Sequence, residues 1–446
     1  MDFLNIVGYS TLGSLLGAII GIVPGLAPAQ ILGVLFVALF FLDPIQLVVF
    51  YIGMITVSQY VDSIPAIYFG VPGETSAIPA AYEGPALRSQ GLGPQAIQLT
   101  AIGRIFAVTI SIALCLALLP WILTSTWFFS NQAQIIMISL ALVGIFFSSQ
   151  SKWALTLMAM AMGYFVGAIG YNYLLGQNFF TFGHANLIDG VPAVCVIMGI
   201  YVIPLLVSEL QKKHQTLDFH DFDQSVKQPL ELKSHAKNMC QSSVIGWFTG
   251  LLPGLSYVLS STIAYNWQKK KQMQAGTYQT GNIPSVVSAE TSNTAGAVST
   301  LLPLLVFGIP ITGSETIIYN LMLLNGADFA KGKFFLDNWD YVVTALLISS
   351  AIGLLFCWPL SRFFGKLLSK IKLSWLWTVI IIIVVASVLY VGWYNSQLVF
   401  YTVSFAVLIA VGMMIRNRLD VTTVIFMFVM QNSIDRAVMT FAQLYF

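Results

Sequence analysis

Charge is what this sequence has least of: Asp, Glu, Lys and Arg make up 9% of its 446 residues, against 57% hydrophobic ones. Together with a mean hydropathy of +0.82, that excludes an ordinary water-soluble domain, about a quarter of whose residues are charged. A net charge of +2 gives no global field for nucleic acid, so no nucleic-acid partner is expected. Cysteine is scarce as well. Cys115, Cys195, Cys240 and Cys357 stand far apart in apolar segments, which offers neither a metal-ligand pair nor a redox couple, and they read as small buried hydrophobes. His214, His220 and His235 sit in a polar stretch without cysteine partners, so no metal site and no cofactor is implied. There is no HExxH helix, no GxSxG elbow and no base placed beside a nucleophile, so nothing supports an enzyme. Met1-Asp2-Phe3 carries no basic residue, and the apolar run behind it continues past Pro24 to Leu42 without a cleavage pattern. No removed signal peptide is expected.

What the chain has instead is length in apolar runs. A membrane core of about 30 Å needs about 20 helical residues. Runs near that length fall at residues 45–60, 95–124, 131–149, 152–170 and 188–208, and again at 284–306, 339–361, 373–392, 395–415 and 420–444. Between the two series, residues 209–238 are polar, and further positive clusters lie at Lys269 to Lys271, Arg362 to Lys372, and Arg416 with Arg418. Placing every cluster in the cytoplasm is self-consistent. It also puts Lys152, Arg88 and Arg104 on or near that side, and it requires residues 240–267 to enter and leave by one face. Those residues are read as a re-entrant hairpin with arms of about a dozen residues, each about 18 Å long; two short full helices have the same parity.

The two series repeat one another. Gly21-Ile22-Val23-Pro24-Gly25-Leu26 recurs as Gly250-Leu251-Leu252-Pro253-Gly254-Leu255, and Phe69-Gly70-Val71-Pro72-Gly73-Glu74-Thr75-Ser76 has its echo in Phe307-Gly308-Ile309-Pro310 followed by Gly313-Ser314-Glu315-Thr316. Parity has the first Pro-Gly segment entering from outside and the second from inside, the inverted arrangement of many secondary carriers. Expected, then, is an all-α polytopic membrane protein with about ten transmembrane helices plus broken or re-entrant hairpins in two inverted-topology repeats. Residues 1–208 form the first repeat, 209–238 a cytoplasmic linker and 239–446 the second repeat.

Helix breaks at membrane depth expose N–H and C=O groups that only a ligand or cavity water can satisfy, and helix N-termini there favour carboxylates. Glu74, Glu290, Glu315 and Asp62 lie in or beside apolar runs. A carboxylate at that depth costs about 2.5–3.5 kcal/mol, so each is expected to line a water-filled cavity or bind a cation. Ser292, Asn293 and Thr294 offer hydroxyls and an amide that can donate to a substrate carboxylate or accept a coupling Na⁺; interhelical hydrogen bonding is the plainer role. The candidate binding set is therefore Pro24, Gly25, Gly73, Glu74, Thr75, Ser76, Pro253, Gly254, Glu290, Ser292, Asn293, Thr294, Gly313, Ser314 and Glu315, with Na⁺ or H⁺ as the coupling ion. A channel built on re-entrant segments stays open as the alternative.

Three motifs in order carry a family resemblance: Gly21-Ile22-Val23-Pro24-Gly25; Val71-Pro72-Gly73-Glu74-Thr75-Ser76 with Glu83-Gly84 through Arg88-Ser89-Gln90-Gly91; and Ala289-Glu290-Thr291-Ser292-Asn293-Thr294-Ala295. With them the chain resembles the large membrane subunit of tripartite tricarboxylate transporters. That resemblance implies inverted repeats, elevator-like movement and cation-driven uptake of an organic carboxylate across the inner membrane. It also implies two partners, a small four-helix membrane subunit and an extracytoplasmic binding protein. A homo-oligomer is compatible with it.

Overall fold

The computed structural model describes residues 2–22, 28–70, 74–124, 130–148, 152–172, 176–211, 232–251, 257–357 and 373–445. Pro24, Gly25, Gly73, Pro253, Gly254 and most of the polar linker lie outside them. In chain order the first half holds α1 (Phe3–Ile22), α2 (Pro28–Leu39), α3 (Pro44–Phe69), α4 (Ile78–Ser89), α5 (Gly93–Thr124), α6 (Asn131–Ser148) and α7 (Trp153–Ala168). It closes with α8 (Ala193–Val196), which continues through a π-helical turn, Ile197–Val202, into α9 (Ile203–Gln211). The second half holds α10 (Leu232–Gly250), α11 (Tyr257–Gln274), α12 (Ile283–Leu302), α13 (Gly313–Leu324), α14 (Lys333–Cys357), α15 (Leu373–Tyr394), α16 (Leu398–Ile415) and α17 (Val421–Tyr445).

Among the described residues five helices, α1, α3, α5, α14 and α16, are long and apolar enough to cross a membrane. The chain is an all-α polytopic membrane protein, with one local exception. Where the apolar pattern suggests continuous spans at 152–170 and 188–208, α7 ends at Ala168 and β1 (Gly170–Asn172) pairs antiparallel with β2 (Gln177–Phe179). Gly170 has φ +125°, a conformation that breaks a helix and suits glycine. A second correction concerns residues 240–267. The arms are not a dozen residues each: α10 has 19 and α11 has 18, about 28 and 27 Å of helix. Both pack along α12, so their polar ends stay helical where an apolar count stops.

Two helices make the centre. The apolar stretch of α3 is buried throughout, and nearly all of α12 is buried despite its run of Ser, Thr, Asn and Glu. Small residues bring the neighbours close. On α1, a Cβ at Gly17 would lie 2.3 Å from the Met54 carbonyl oxygen and one at Gly21 2.2 Å from that of Ser58. On α10, a Cβ at Gly246 would lie 2.2 Å from the Ser292 carbonyl oxygen and one at Gly250 2.4 Å from that of Gly296. Glycine four residues apart is the pattern that lets membrane helices touch backbone to backbone. At the spacing that aligns Pro24 with Pro253 and Phe69 with Phe307, these are corresponding contacts. Further pairings match: α3 packs on α14 as α12 packs on α5. The two central helices also terminate alike: α3 on Gly70, and α12, continued by a π-helical turn over Pro303–Phe307, on Gly308, each at φ +66°. Glycine alone adopts that left-handed cap without cost.

The outer helices face lipid. Trp153, Trp375, Trp393 and Tyr394, at the ends of α7 and α15, are all exposed, as aromatic side chains at the two membrane interfaces are.

Candidate functional site

On α3, Tyr51, Ile55, Gln59 and Asp62 recur at helical spacing on one face; on α12, Glu290, Asn293, Ala297 and Thr300 do the same. The two faces form one polar seam. At one end Arg104, from α5, is wholly buried and its Nη2 lies 3.0 Å from Asp62 Oδ1 and also bonds Glu290 Oε2. Arg104 Nη1 donates to the Tyr60 carbonyl and to Ser63 Oγ, both at 3.1 Å, and the guanidinium stands 5.6 Å from the Tyr60 ring centroid. At the other end the Tyr51 hydroxyl is 3.0 Å from Ser314 Oγ, while Thr300 donates to Glu315. Asp62 thus meets Glu290, and Tyr51 and Thr300 meet the start of α13, so α3 and α12 run antiparallel.

A small cavity opens midway, lined by Pro28, Tyr51, Ile55, Gln59, Glu74, Ala297, Thr300 and Glu315. It holds about 10 Å³, the room of about one water. Acidic groups from both repeated motifs therefore face the same space. Glu74 accepts a hydrogen bond from Ser58 Oγ at 2.5 Å. Glu315 is also committed locally: its Oε2 accepts from the N–H groups of Ile311 (2.8 Å) and Thr312 (3.0 Å), and Thr312 Oγ1 accepts from Glu315 N–H at 3.2 Å. That reciprocal pair is a capping box at the start of α13.

The other expected residues divide. Asn293 is fully buried, with neither its amide nitrogen nor its amide oxygen hydrogen-bonded among the described residues, and Thr294 Oγ1 is likewise unpartnered there. Ser292 stands apart from them: its hydroxyl donates to the Ser260 carbonyl at 3.0 Å, the plainer interhelical role. Ser314 reaches Tyr51, and Gly313 begins α13. Thr75 and Ser76 lie in a short turn, Thr75–Ala77, where the Ser76 carbonyl accepts from Ser261 at 2.7 Å.

Of the two roles expected for Asp62 and Glu290, lining a cavity or binding a cation, the structure shows no lining of that cavity; both pair with the Arg104 guanidinium in the interior. Arg104, read from the sequence as lying on or near the cytoplasmic side, is their buried partner, and a buried arginine is retained only where carboxylates and carbonyls surround it. A lone arginine inside the apolar run 95–124 was the available signal.

A second group escaped the site reading although its motif did not. Glu83 is buried on α4 and accepts from Tyr265 OH (2.7 Å), Tyr278 OH (2.8 Å), Gly281 N–H (2.6 Å) and Asn282 N–H (3.2 Å). It latches the first half onto the start of α12, where a negative group suits the helix dipole. Glu83→Ala should lower stability by about 2 kcal/mol, since it strands several buried donors. Thermal unfolding of the purified variant checks this, with Glu83→Gln expected to recover part of the loss.

Comparison with known proteins points to one family. A model of the tripartite tricarboxylate transporter TctA family matches residues 7–428. An uncharacterised 52.8 kDa protein of the TAR-I ttuC′ 3′ region of Agrobacterium vitis is 24% identical over 321 residues, which is 70% of this chain and 62% of the relative. The chain's match thus spans about three fifths of that protein. An uncharacterised protein of Methanocaldococcus jannaschii is 25% identical over 372 residues, 82% of each chain. No solved structure matches. The family is one of transporters rather than enzymes, and with nearly the whole length matched, the chain belongs to the tripartite tricarboxylate transporter TctA family.

Proposed function

We propose that this chain is a secondary active transporter that imports an organic carboxylate, a di- or tricarboxylate, on a Na⁺ or H⁺ gradient. It works in the cytoplasmic membrane with a small four-helix membrane subunit and an extracytoplasmic binding protein. Residues 1–208 and 239–446 act as inverted repeats joined by a cytoplasmic linker, and elevator-like movement gives alternating access. The matching glycine contacts, the paired Gly70 and Gly308 caps and the antiparallel α3 and α12 support the repeat.

Asn293 is the observation that carries the substrate reading. A primary amide buried without any partner costs about 1–3 kcal/mol, a cost tolerated where a ligand completes the hydrogen bonds. Its donor suits a carboxylate and its acceptor a cation. The cavity of about 10 Å³ is too small for a carboxylate, so the described arrangement is occluded and the seam must part to load.

The test is a thermal-shift screen against mono-, di- and tricarboxylates with and without Na⁺, on the wild type and on Asn293→Ala. Specific binding at a hundredfold excess over Kd stabilises by about 2.7 kcal/mol. One acid class should raise the melting temperature of the wild type and not of the variant. An equal shift in both removes Asn293 from the site.

A further inference from the structure

The charges of the Arg104 cluster do not balance. Arg104, Asp62 and Glu290 each have a side chain 0% exposed to solvent, so one cation faces two carboxylates in an interior closed to bulk solvent. The groups around the cluster add no positive charge. From α3, Tyr60 puts its ring beside Arg104; from α14, Cys357 Sγ donates to the Tyr60 carbonyl. Glu74, the next acid along the seam, is held by Ser58 alone among the described bonds. A buried charge without a counterion is removed by neutralisation rather than tolerated.

The hydrogen bonding shows where the missing charge goes. Asp62 Oδ2 and Glu290 Oε1 are both buried and both without a partner among the described residues. One turn along α12 from Glu290, on the same face, the buried Asn293 amide is also unpartnered. The position between the two carboxylates, where a metal ion would sit, is taken by the guanidinium, which repels a second cation. A proton needs no ligand shell. It forms a covalent O–H on one vacant carboxylate oxygen, while the O–H bond of the hydronium that delivers it breaks. Loading a substrate carboxylate there is disfavoured by the same surplus of negative charge.

We propose that the Asp62–Arg104–Glu290 cluster is a proton-binding site, one proton held on its two carboxylates in the occluded state, and that this proton is the coupling ion. The second half of the proposal rests on the carrier reading above; the first does not.

The experiment is infrared difference spectroscopy of the purified full-length protein in K⁺ buffer without substrate, stepping from alkaline to mildly acidic solution. The carbonyl stretch of a protonated carboxyl group should appear, persist in Glu74→Gln, and vanish in both Asp62→Asn and Glu290→Gln. Asp62 is the one aspartate buried from solvent among the described residues, so a shift of the band by carbon-13 aspartate in the wild type places the proton on Asp62 and no shift places it on Glu290. Absence of the band, its survival at full amplitude in both variants, or its removal by Na⁺ but not K⁺ overturns the proton site. Coupling is read separately: acidification should strengthen the carboxylate-induced thermal shift in the wild type and not in Asp62→Asn. A pH dependence retained in that variant overturns the coupling role. A positive band with no carboxylate response would instead leave the proton site standing and count against the carrier reading.

Discussion

Arg104→Leu should be the most damaging single substitution among the described residues, lowering stability by about 3–5 kcal/mol, about two to four orders of magnitude in the folding equilibrium. The reason is asymmetry. Arg104 bonds Asp62, Glu290, the Tyr60 carbonyl and Ser63, and its removal leaves two buried carboxyl groups with no cation. Removing the whole set costs far less than breaking it, because a buried ion cluster gains little over apolar or neutral groups of similar volume. The triple variant Arg104→Leu, Asp62→Asn, Glu290→Gln should therefore recover much of what the single variant loses. Chemical unfolding of all three proteins in the same detergent checks both statements. A single variant within about 0.5 kcal/mol of wild type, the range of ordinary surface changes, would show that the cluster holds nothing together.

A second large effect is expected at the close helix approaches. Gly17→Leu and Gly246→Leu put a Cβ within 2.3 and 2.2 Å of backbone oxygens on α3 and α12. Backbone cannot swing aside as a side-chain tip can, so each should cost about 3 kcal/mol, the upper end for overpacking. Gly8→Leu on the same α1 is the internal control. Nothing lies within 4 Å of a Cβ there, and its midpoint of unfolding should stay within about 0.5 kcal/mol of wild type. Because Gly17 and Gly246 occupy corresponding places, similar losses at both and none at Gly8 would support the repeat. A tolerated Gly246→Leu would break the correspondence.

The helical class, the repeat of Pro-Gly motifs and the polar island in α12 were legible because each is a property of the chain read in order: run length, recurrence, composition. What the sequence hid depends on which helices meet. Ser292 and Asn293 are neighbours in one motif, yet a helix turns about 100° per residue, so one bonds α11 while the other faces the seam. Arg104 looked like a flanking charge because its partners are distant in sequence, at Asp62 and Glu290. Glu83 stood in a recognised motif, but its partners belong to the second half. Glu315 had a local signal that was passed over: Thr312 three residues before it is the capping-box pattern. Apolar counting stopped α3 near residue 60 because Asp62 and Ser63 look terminal; in the fold both bond Arg104, and the helix runs on to Phe69.

The most direct test of the seam as the substrate path is the reactivity of Ala297→Cys in a background lacking Cys115, Cys195, Cys240 and Cys357. Ala297 lines the cavity and is 4% exposed, so a thiol there is shielded in the occluded state. In right-side-out and inverted vesicles, a membrane-impermeant maleimide should label it slowly from either side, and a bound carboxylate should protect it. A folded variant that resists labelling from both sides, with or without carboxylate, would mean that the seam never opens and that transport, if it occurs, takes another route.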